Sequence, residues 1–309
     1  MVNCLAPNMK SQSAHEKKPA NGPLGQKAIL PSEIREVVAK EDDFGHEMRV
    51  GKILRNVSPM LVEHGGTYTD PVTQKPRQFD YRCFFTLDTT LLSLAVECKN
   101  LSPSVPLVVC GTGRRENEAF HEVIESHNLY QTVRTSNPAS RSHQVLGQHS
   151  LYPPGQFVGK SLIRIQADRD PMVRTADSDV YDKWAQALSS AVGLAELASG
   201  FPARISSRKL FSVILPLVIV PDDVLWIATY DDGGIVSTDP KQVQGSELFV
   251  GRTIEVDGPR VAPSHHQFTL SHVHFLTLSG LSSFLSKVLL NEHVRRTIFP
   301  ETITRSGEN

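Results

Sequence analysis

A chain of 309 residues with a formal net charge of −1, 39% hydrophobic and 21% charged residues has the composition of an ordinary globular protein, which excludes collagen-like, coiled-coil and wholly unstructured chains. The longest apolar stretch, Phe211 to Val220, contains Ser212 and Pro216 and ends at Pro221, too short and too broken for a spanning helix. Near-neutral charge argues against coating nucleic acid by bulk electrostatics, but leaves room for an enzyme whose basic groove is balanced by acid elsewhere.

Residues 1–30 mix Asn, Ser, Lys, Pro and Gly without a period and read as a disordered or loosely attached arm. They lack a basic segment followed by an apolar one, so a soluble, cytoplasmic protein is expected. Cys4, Cys83, Cys98 and Cys110 show no CxxC spacing, and three of them lie in apolar stretches as small buried hydrophobes, with no disulfide framework or zinc knuckle. Residues 31–309 are expected to form a single domain with an insertion at 126–167 and a C-terminal extension at 231–309.

From Pro31, with Ser32 as N-cap, Ile34, Val37 and Val38 predict a helix, and Phe44 to Val57 a second one that ends before Pro59. Strand-like runs follow at Met60–Thr69, Phe79–Leu87, Leu91–Cys98 and Val105–Cys110, with a turn at Asp70-Pro71. A short helix is expected over Glu116–Ser126, then a long polar segment from Asn128 to Gly159. Asp177 or Ser178 caps a helix with Trp184, Ala187, Leu188, Ala191 and Ala195 on one face, ending at Gly200. Phe211–Val220 and Val224–Tyr230 read as strands joined in a hairpin by Pro221-Asp222-Asp223, with Pro216 marking a bulge or an edge. A strand near His272–Leu276 and a helix from Ser279 to Asn291 complete the tail.

The chemistry-bearing pattern is Arg77-Gln78-Phe79-Asp80 followed, on the next strand, by Ala95-Val96-Glu97-Cys98-Lys99. Side chains alternate along a strand, so Glu97 and Lys99 share one face and Cys98 points to the other. If the strands carrying Asp80 and Glu97 pair, two carboxylates and an ammonium converge at one sheet edge. Hard oxygen ligands of this kind suit Mg²⁺, which fills the rest of its shell with water and phosphate, and Lys99 would polarise an attacking water. The bland alternative is a solvated Glu97/Lys99 ion pair, disfavoured by the nearly continuous apolar run Leu91 to Val96 that marks a central strand. Charges at such a strand's end usually have a use.

This pattern resembles the PD-(D/E)xK nuclease superfamily, the restriction-endonuclease-like fold. The resemblance implies an α/β core of a helix, a three-stranded meander, a second helix and further strands around a mixed central sheet. It implies that Asp80, Glu97 and Lys99 are catalytic, that Asp80, Glu97 and the Cys98 backbone carbonyl hold the metal with Glu47 assisting, and that Gln186 on the second helix faces the site. Mg²⁺ (Mn²⁺ as substitute), DNA as partner and a homodimer are implied likewise. Phe79, not Pro, precedes Asp80, in the Arg-x-x-Asp form that resembles very-short-patch-repair and methylated-DNA restriction relatives. Asp70 is a competing ligand and Asp88 a weaker one. The expected function is a Mg²⁺-dependent nuclease hydrolysing DNA phosphodiester bonds in restriction, repair or defence; the alternative is a catalytically inactive nuclease-like nucleic-acid-binding or assembly module.

Between Ser126 and Ala167 there are four basic residues, Arg134, Arg141, Lys160 and Arg164, and no acidic ones. With Arg114 and Arg115 just before, they are candidate nucleic-acid contacts; a solvated loop is the plain alternative. Gly111-Thr112-Gly113 lacks a third glycine for a dinucleotide site and reads as a tight turn. His265, His266, His272 and His274 have no partners at ligand spacing and read as ordinary surface or core histidines.

Overall fold

The computed structural model describes residues 29–41, 43–126, 140–166, 173–174, 178–200, 209–257 and 265–304. The arm at 1–28, Arg134 and the Asp177 cap lie outside these. The chain divides into two units, one ending at Glu41 and one beginning at Asp42. The first carries helix α1 (Pro31–Glu41). It starts two residues earlier than Ser32 as N-cap implied, because proline has no N–H to leave unsatisfied at a helix start; the Glu33 carboxylate accepts the Leu30 N–H at 2.8 Å.

The second unit is α/β, built on a large mixed sheet. Helix α2 (Asp43–Arg55) buries His46, Val50 and Leu54, four residues apart, and so turns one stripe to the core. Strands β1 (Leu61–His64), β4 (Tyr81–Leu87) and β5 (Thr90–Cys98) form an antiparallel meander. The two-residue turn Asp88-Thr89 closes it, with Asp88 at φ 52°, the left-handed conformation that tight hairpins need and aspartate tolerates. Strands β2 (Thr67–Thr69) and β3 (Pro76–Gln78) make a separate hairpin whose tip holds Asp70-Pro71.

The remaining strands are β6 (Leu107–Gly113), β7 (Phe120–Ser126), β8 (Ser140–Leu146), β9 (Phe157–Gln166), β10 (Val173–Arg174), β11 (Leu210–Val220), β12 (Leu225–Thr229), β13 (Lys241–Gln242), β14 (Gly245–Asp257) and β15 (His265–Thr277). Helix α3 (Ser178–Gly200) precedes β11; α4 (Leu278–Leu290), α5 (Glu292–Ile298) and α6 (Glu301–Thr304) follow β15. The main path of the sheet is β1-β4-β5-β11-β15-β14-β9-β6-β12-β13, with β7 pairing β11 and β8, and β10 pairing β9. Strand β11 runs parallel to both β5 and β15.

Each sheet face has its own core. Ala187, Leu188, Ala191 and Ala195 of α3 pack with Ala95, Ile214, Val218 and Phe275 on one side; Val50 and Leu54 of α2 and Leu281 and Leu285 of α4 pack with Val96, Leu217 and Cys98 on the other. Each fully buried Leu or Val is worth about 1.5–3 kcal/mol. Cys83, Cys98 and Cys110 are buried, as expected of cysteines in apolar stretches.

Four local expectations are corrected. The helix expected over Glu116–Ser126 is a short 3-10 turn (Glu116–Glu118) and then β7, because β7 finds a partner, β8, in the polar segment 128–159. That pairing is held by polar cross-strand contacts such as Ser142 to Glu122 at 2.6 Å, which leave no apolar period to read. The Val220–Val224 hairpin does not form: β11 pairs with β5 and β15, while β12 lies parallel to β6. Gly111-Thr112-Gly113 is the end of β6 rather than a turn, and glycine is required at 111 because a Cβ would meet the Val158 carbonyl oxygen.

Pro216 marks neither bulge nor edge; it sits in register with Ala95 inside β11. The Phe211 N–H and the Ile219 carbonyl both bond toward the β5 side, so in a parallel ladder the even-numbered residues point to the opposite edge. On that edge β11 pairs with β7 at 210–212 and with β15 only from Leu217 onward. The missing N–H of Pro216 falls in the gap, where no ladder bond is lost.

Candidate active site

Tyr81 stands opposite Val96 at the end of the β4–β5 ladder; that register continued by one residue sets Asp80, just before β4, across from Glu97, and opposed side chains share a face. Asp80 Oδ2 accepts the Cys98 N–H at 2.6 Å, which fastens it to the last residue of β5. The shared face is that of α3, since Ala95 packs in the α3-side core while Val96 and Cys98 pack beneath α2 and α4.

Glu97 is fully buried. On its face the Arg82 guanidinium lies 4.6 Å from the Phe79 ring and 5.4 Å from that of Tyr68. Arg82 donates to the Ser190 hydroxyl at 3.2 Å and carbonyl at 3.1 Å, and Tyr68 donates to the Gln186 carbonyl at 3.3 Å. Burial, then the Glu97 and Asp70 charges, push the Tyr68 phenol well above its ordinary range. Burial lowers the Arg82 guanidinium, opposed by the acids around it, Glu63 and Glu97 among them. The carboxylate thus lies beneath the β2–β3 hairpin and α3.

Lys99 reaches a partner that the sequence analysis did not nominate. Its ammonium is 3.4 Å from Asp43 Oδ2, and Asp43 Oδ1 accepts the Asn100 N–H at 3.0 Å. The one trace in the sequence is an acidic residue just before the second helix, a favourable place for it in any helix. Glu47, one turn on, bonds His64 at 2.5 Å, and its carbonyl accepts the Tyr81 hydroxyl at 3.0 Å. It therefore sits on the α2 side of β4, on the other face from Asp80 and Glu97.

The competing aspartates have structural work. Asp70 Oδ1 accepts the Val72 and Thr73 N–H groups, both at 2.9 Å, building its own turn. Burial pushes its carboxyl up, but those amides and Arg77 bring it below its ordinary value. Asp88, in the turn at the far end of β4, is roughly 26 Å from Asp80 at about 3.3 Å per residue. Gln186 lines a cleft of about 850 Å³, bounded by the β2–β3 hairpin, α3, β9 and β14.

Of the basic candidates, Arg114 is not at the surface. It is 3% exposed and donates to His272 Nε2 at 3.2 Å, the Pro153 carbonyl at 2.9 Å and Glu247 at 3.4 Å. Because arginine only donates, His272 Nε2 carries no proton and the ring is neutral. Tyr152 stacks on His272 and meets His274 Nε2 at 2.7 Å, so the histidines are core groups in a polar network under α4. Arg115 is exposed and Arg164 half-buried. Arg141 joins His143 and Lys209 on the buried Glu125, at 2.6, 2.6 and 2.8 Å. Lys160 pairs with Glu118.

Among the described residues no three His, Cys, Asp or Glu side chains group to hold a metal. The donor set present is the Asp80 carboxylate, fastened to the Cys98 N–H, and the buried Glu97 carboxylate one residue before Cys98, the hard oxygen type from which Mg²⁺ takes one or two protein ligands. Among the described residues no helix is long and apolar enough to cross a membrane. No protein-family model, curated protein or solved structure matches the chain.

Proposed function

We propose that the protein is a Mg²⁺-dependent nuclease of the restriction-endonuclease-like class, hydrolysing DNA phosphodiester bonds in restriction, repair or defence. The observation that carries the reading is the bond from the Cys98 N–H to Asp80 Oδ2 at 2.6 Å, which fastens the carboxylate just before β4 to the residue that follows Glu97 at the end of β5, with Lys99 one residue further on. Supporting it, α2 precedes the meander β1-β4-β5 and, after the further strands β6 to β10, α3 precedes β11, which runs parallel to β5; the resemblance implies a helix, a meander, a second helix and a further strand in that order.

In this reading Asp80, Glu97 and the Cys98 carbonyl hold the ion. When bound, Mg²⁺ supplies charge stabilisation at phosphate and a more acidic water. Lys99 orients the attacking water and donates to a phosphate oxygen, and Asp43 positions the ammonium. Pre-set donors of this kind act most strongly where water is excluded.

A second reading is favoured by the complete burial of Glu97 and by the bond from the Cys98 N–H to Asp80: a nuclease-like module that binds nucleic acid without cutting it. The full chain with supercoiled and linear DNA in Mg²⁺, Mn²⁺ or EDTA, beside Glu97→Gln and Lys99→Ala, separates the two. Metal-dependent nicking lost in both variants supports the nuclease. No cleavage by folded wild type favours the binding module.

A further inference from the structure

We infer that the cleft between the β2–β3 hairpin, α3, β9 and β14 receives an unpaired strand of nucleic acid, a base lying on Trp184 and phosphates meeting Arg77 and Arg252. The inference rests on the nuclease reading and names the form of its substrate.

Position is the first support. Tyr68 of β2, whose phenol feels the Glu97 charge, meets α3 at Gln186, whereas Arg82 of β4, two residues beyond Asp80, meets α3 further along, at Ser190 and Gly193. Trp184 and Gln186, which line the cleft, therefore lie toward the end where Asp80 and Glu97 stand. The hairpin forms the wall between: Asp70 and Arg77 face the cleft, and Tyr68 lies close enough to Glu97 for its charge to raise the phenol. That end is also where the parallel strands β5 and β11 finish, the usual place for a ligand in an open α/β sheet.

Composition is the second. The lining includes three cations, Arg77, Lys160 and Arg252, against one acid, Asp70, and Asp70 is engaged in its own turn. Lys160 pairs with Glu118 and the Arg77 Nε lies 3.9 Å from Asp70 Oδ2, a separation too long for a hydrogen bond, so Arg77 shares its charge with Asp70 while its guanidinium donors can still meet a phosphate beside Arg252. Leu162 and Leu248 give an apolar floor and Trp184 an indole wall. A volume of about 850 Å³ is in the range of small-ligand sites, roughly 300–1,000 Å³. Aromatic walls with cations beside them hold unpaired bases by stacking, whereas a duplex keeps its base faces inside its own stack.

The third is a local irregularity in β14. Its register against β15 slips by one residue between Phe249 and Arg252, with Gly251 at φ 51°. Such a bulge re-aims the side chains after it and is common beside functional sites. Past the bulge, Arg252 shares the α3 face with Ile254 and lines the cleft.

The test uses fluorescence. The chain has two tryptophans, so a Trp226→Phe chain reports on Trp184 alone. It is titrated in EDTA with single-stranded dT12 and, separately, with a 12-base-pair duplex. We expect dT12 to quench Trp184, the duplex to quench at least ten-fold more weakly, and Arg252→Glu to weaken dT12 binding at least ten-fold. For two phosphate contacts, log affinity should fall with log salt at a slope of about −1.4. Lack of quenching by dT12, equal response to the duplex, or indifference to Arg252→Glu in a folded variant overturns the inference. Glu97→Gln should bind as wild type does, so binding without cleavage counts against the nuclease reading alone, and cleavage without quenching against the cleft alone.

Discussion

Asp43 joins the start of α2 to the end of β5, standing 3.4 Å from the Lys99 ammonium while its other carboxylate oxygen holds the Asn100 N–H at 3.0 Å. One acidic side chain thus sets both the course of the chain after Glu97 and the place of the cation. Asp43→Ala removes the pairing and a favourable charge at a helix start, costing about 1 kcal/mol. We expect cleavage to drop about ten-fold with dT12 binding unchanged; single-turnover cleavage at saturating enzyme reads this, and an equal loss of binding would contradict it.

Glu97 is a buried carboxylate beside a buried arginine. Replacing a buried charge by its neutral isostere removes its desolvation cost, whereas removing the counter-charge alone leaves that cost uncompensated, about 3–5 kcal/mol. Arg82→Met should therefore lower the urea midpoint strongly and Glu97→Gln little or not at all. Arg82→Met with Glu97→Gln should recover part of the loss, and an additive double mutant would show that the two are uncoupled.

Glu125 is fully buried, with Arg141, His143 and Lys209 around it. It ties β7 to β8 and to the residue before β11. Glu125→Gln leaves three donors facing a weaker acceptor, and a loss of about 2–4 kcal/mol is expected. Chemical denaturation reads it, and a change below 0.5 kcal/mol would assign the cluster to the surface class of ion pairs.

The network beneath α4 makes stability depend on pH. Burial lowers His121 to about 4; burial and then Arg114 lower His272 to about 2 and His274 to about 3. Below about 6.5 an unfolded chain binds protons that these rings refuse, so their contribution is complete above that pH and falls as pH drops toward their folded values. Each ring removes up to about 1.4 kcal/mol per pH unit in that window. Urea midpoints should be level from pH 7 to 8 and fall steeply from pH 6 to 4.5, and His274→Gln should flatten the slope.

Local order carried much of this fold into the sequence. The α2 and α3 stripes repeat at helical spacing, and β4, β5 and β11 are apolar runs bounded by turn residues, so their places along the chain can be read from propensity and period alone. Glu97 near the end of β5 and Asp80 just before β4 could be brought near one another by a single strand pairing, while Lys99, one residue past β5, turns to Asp43 instead.

What depended on distant partners was not legible. β7 has the composition of either a helix or a strand, and only its partner β8 settles it. β11 and β12 are neighbours in sequence, yet each pairs with a strand more than a hundred residues away, β11 with β5 and β12 with β6. Arg114 resembles any surface arginine until Glu247 and His272 close around it, and Asp43 gains its role only because α2 starts where β5 ends. Periodicity records which side of an element faces the core; which element lies across that core is a property of the folded chain, decided when buried polar groups must find partners that the local sequence does not contain.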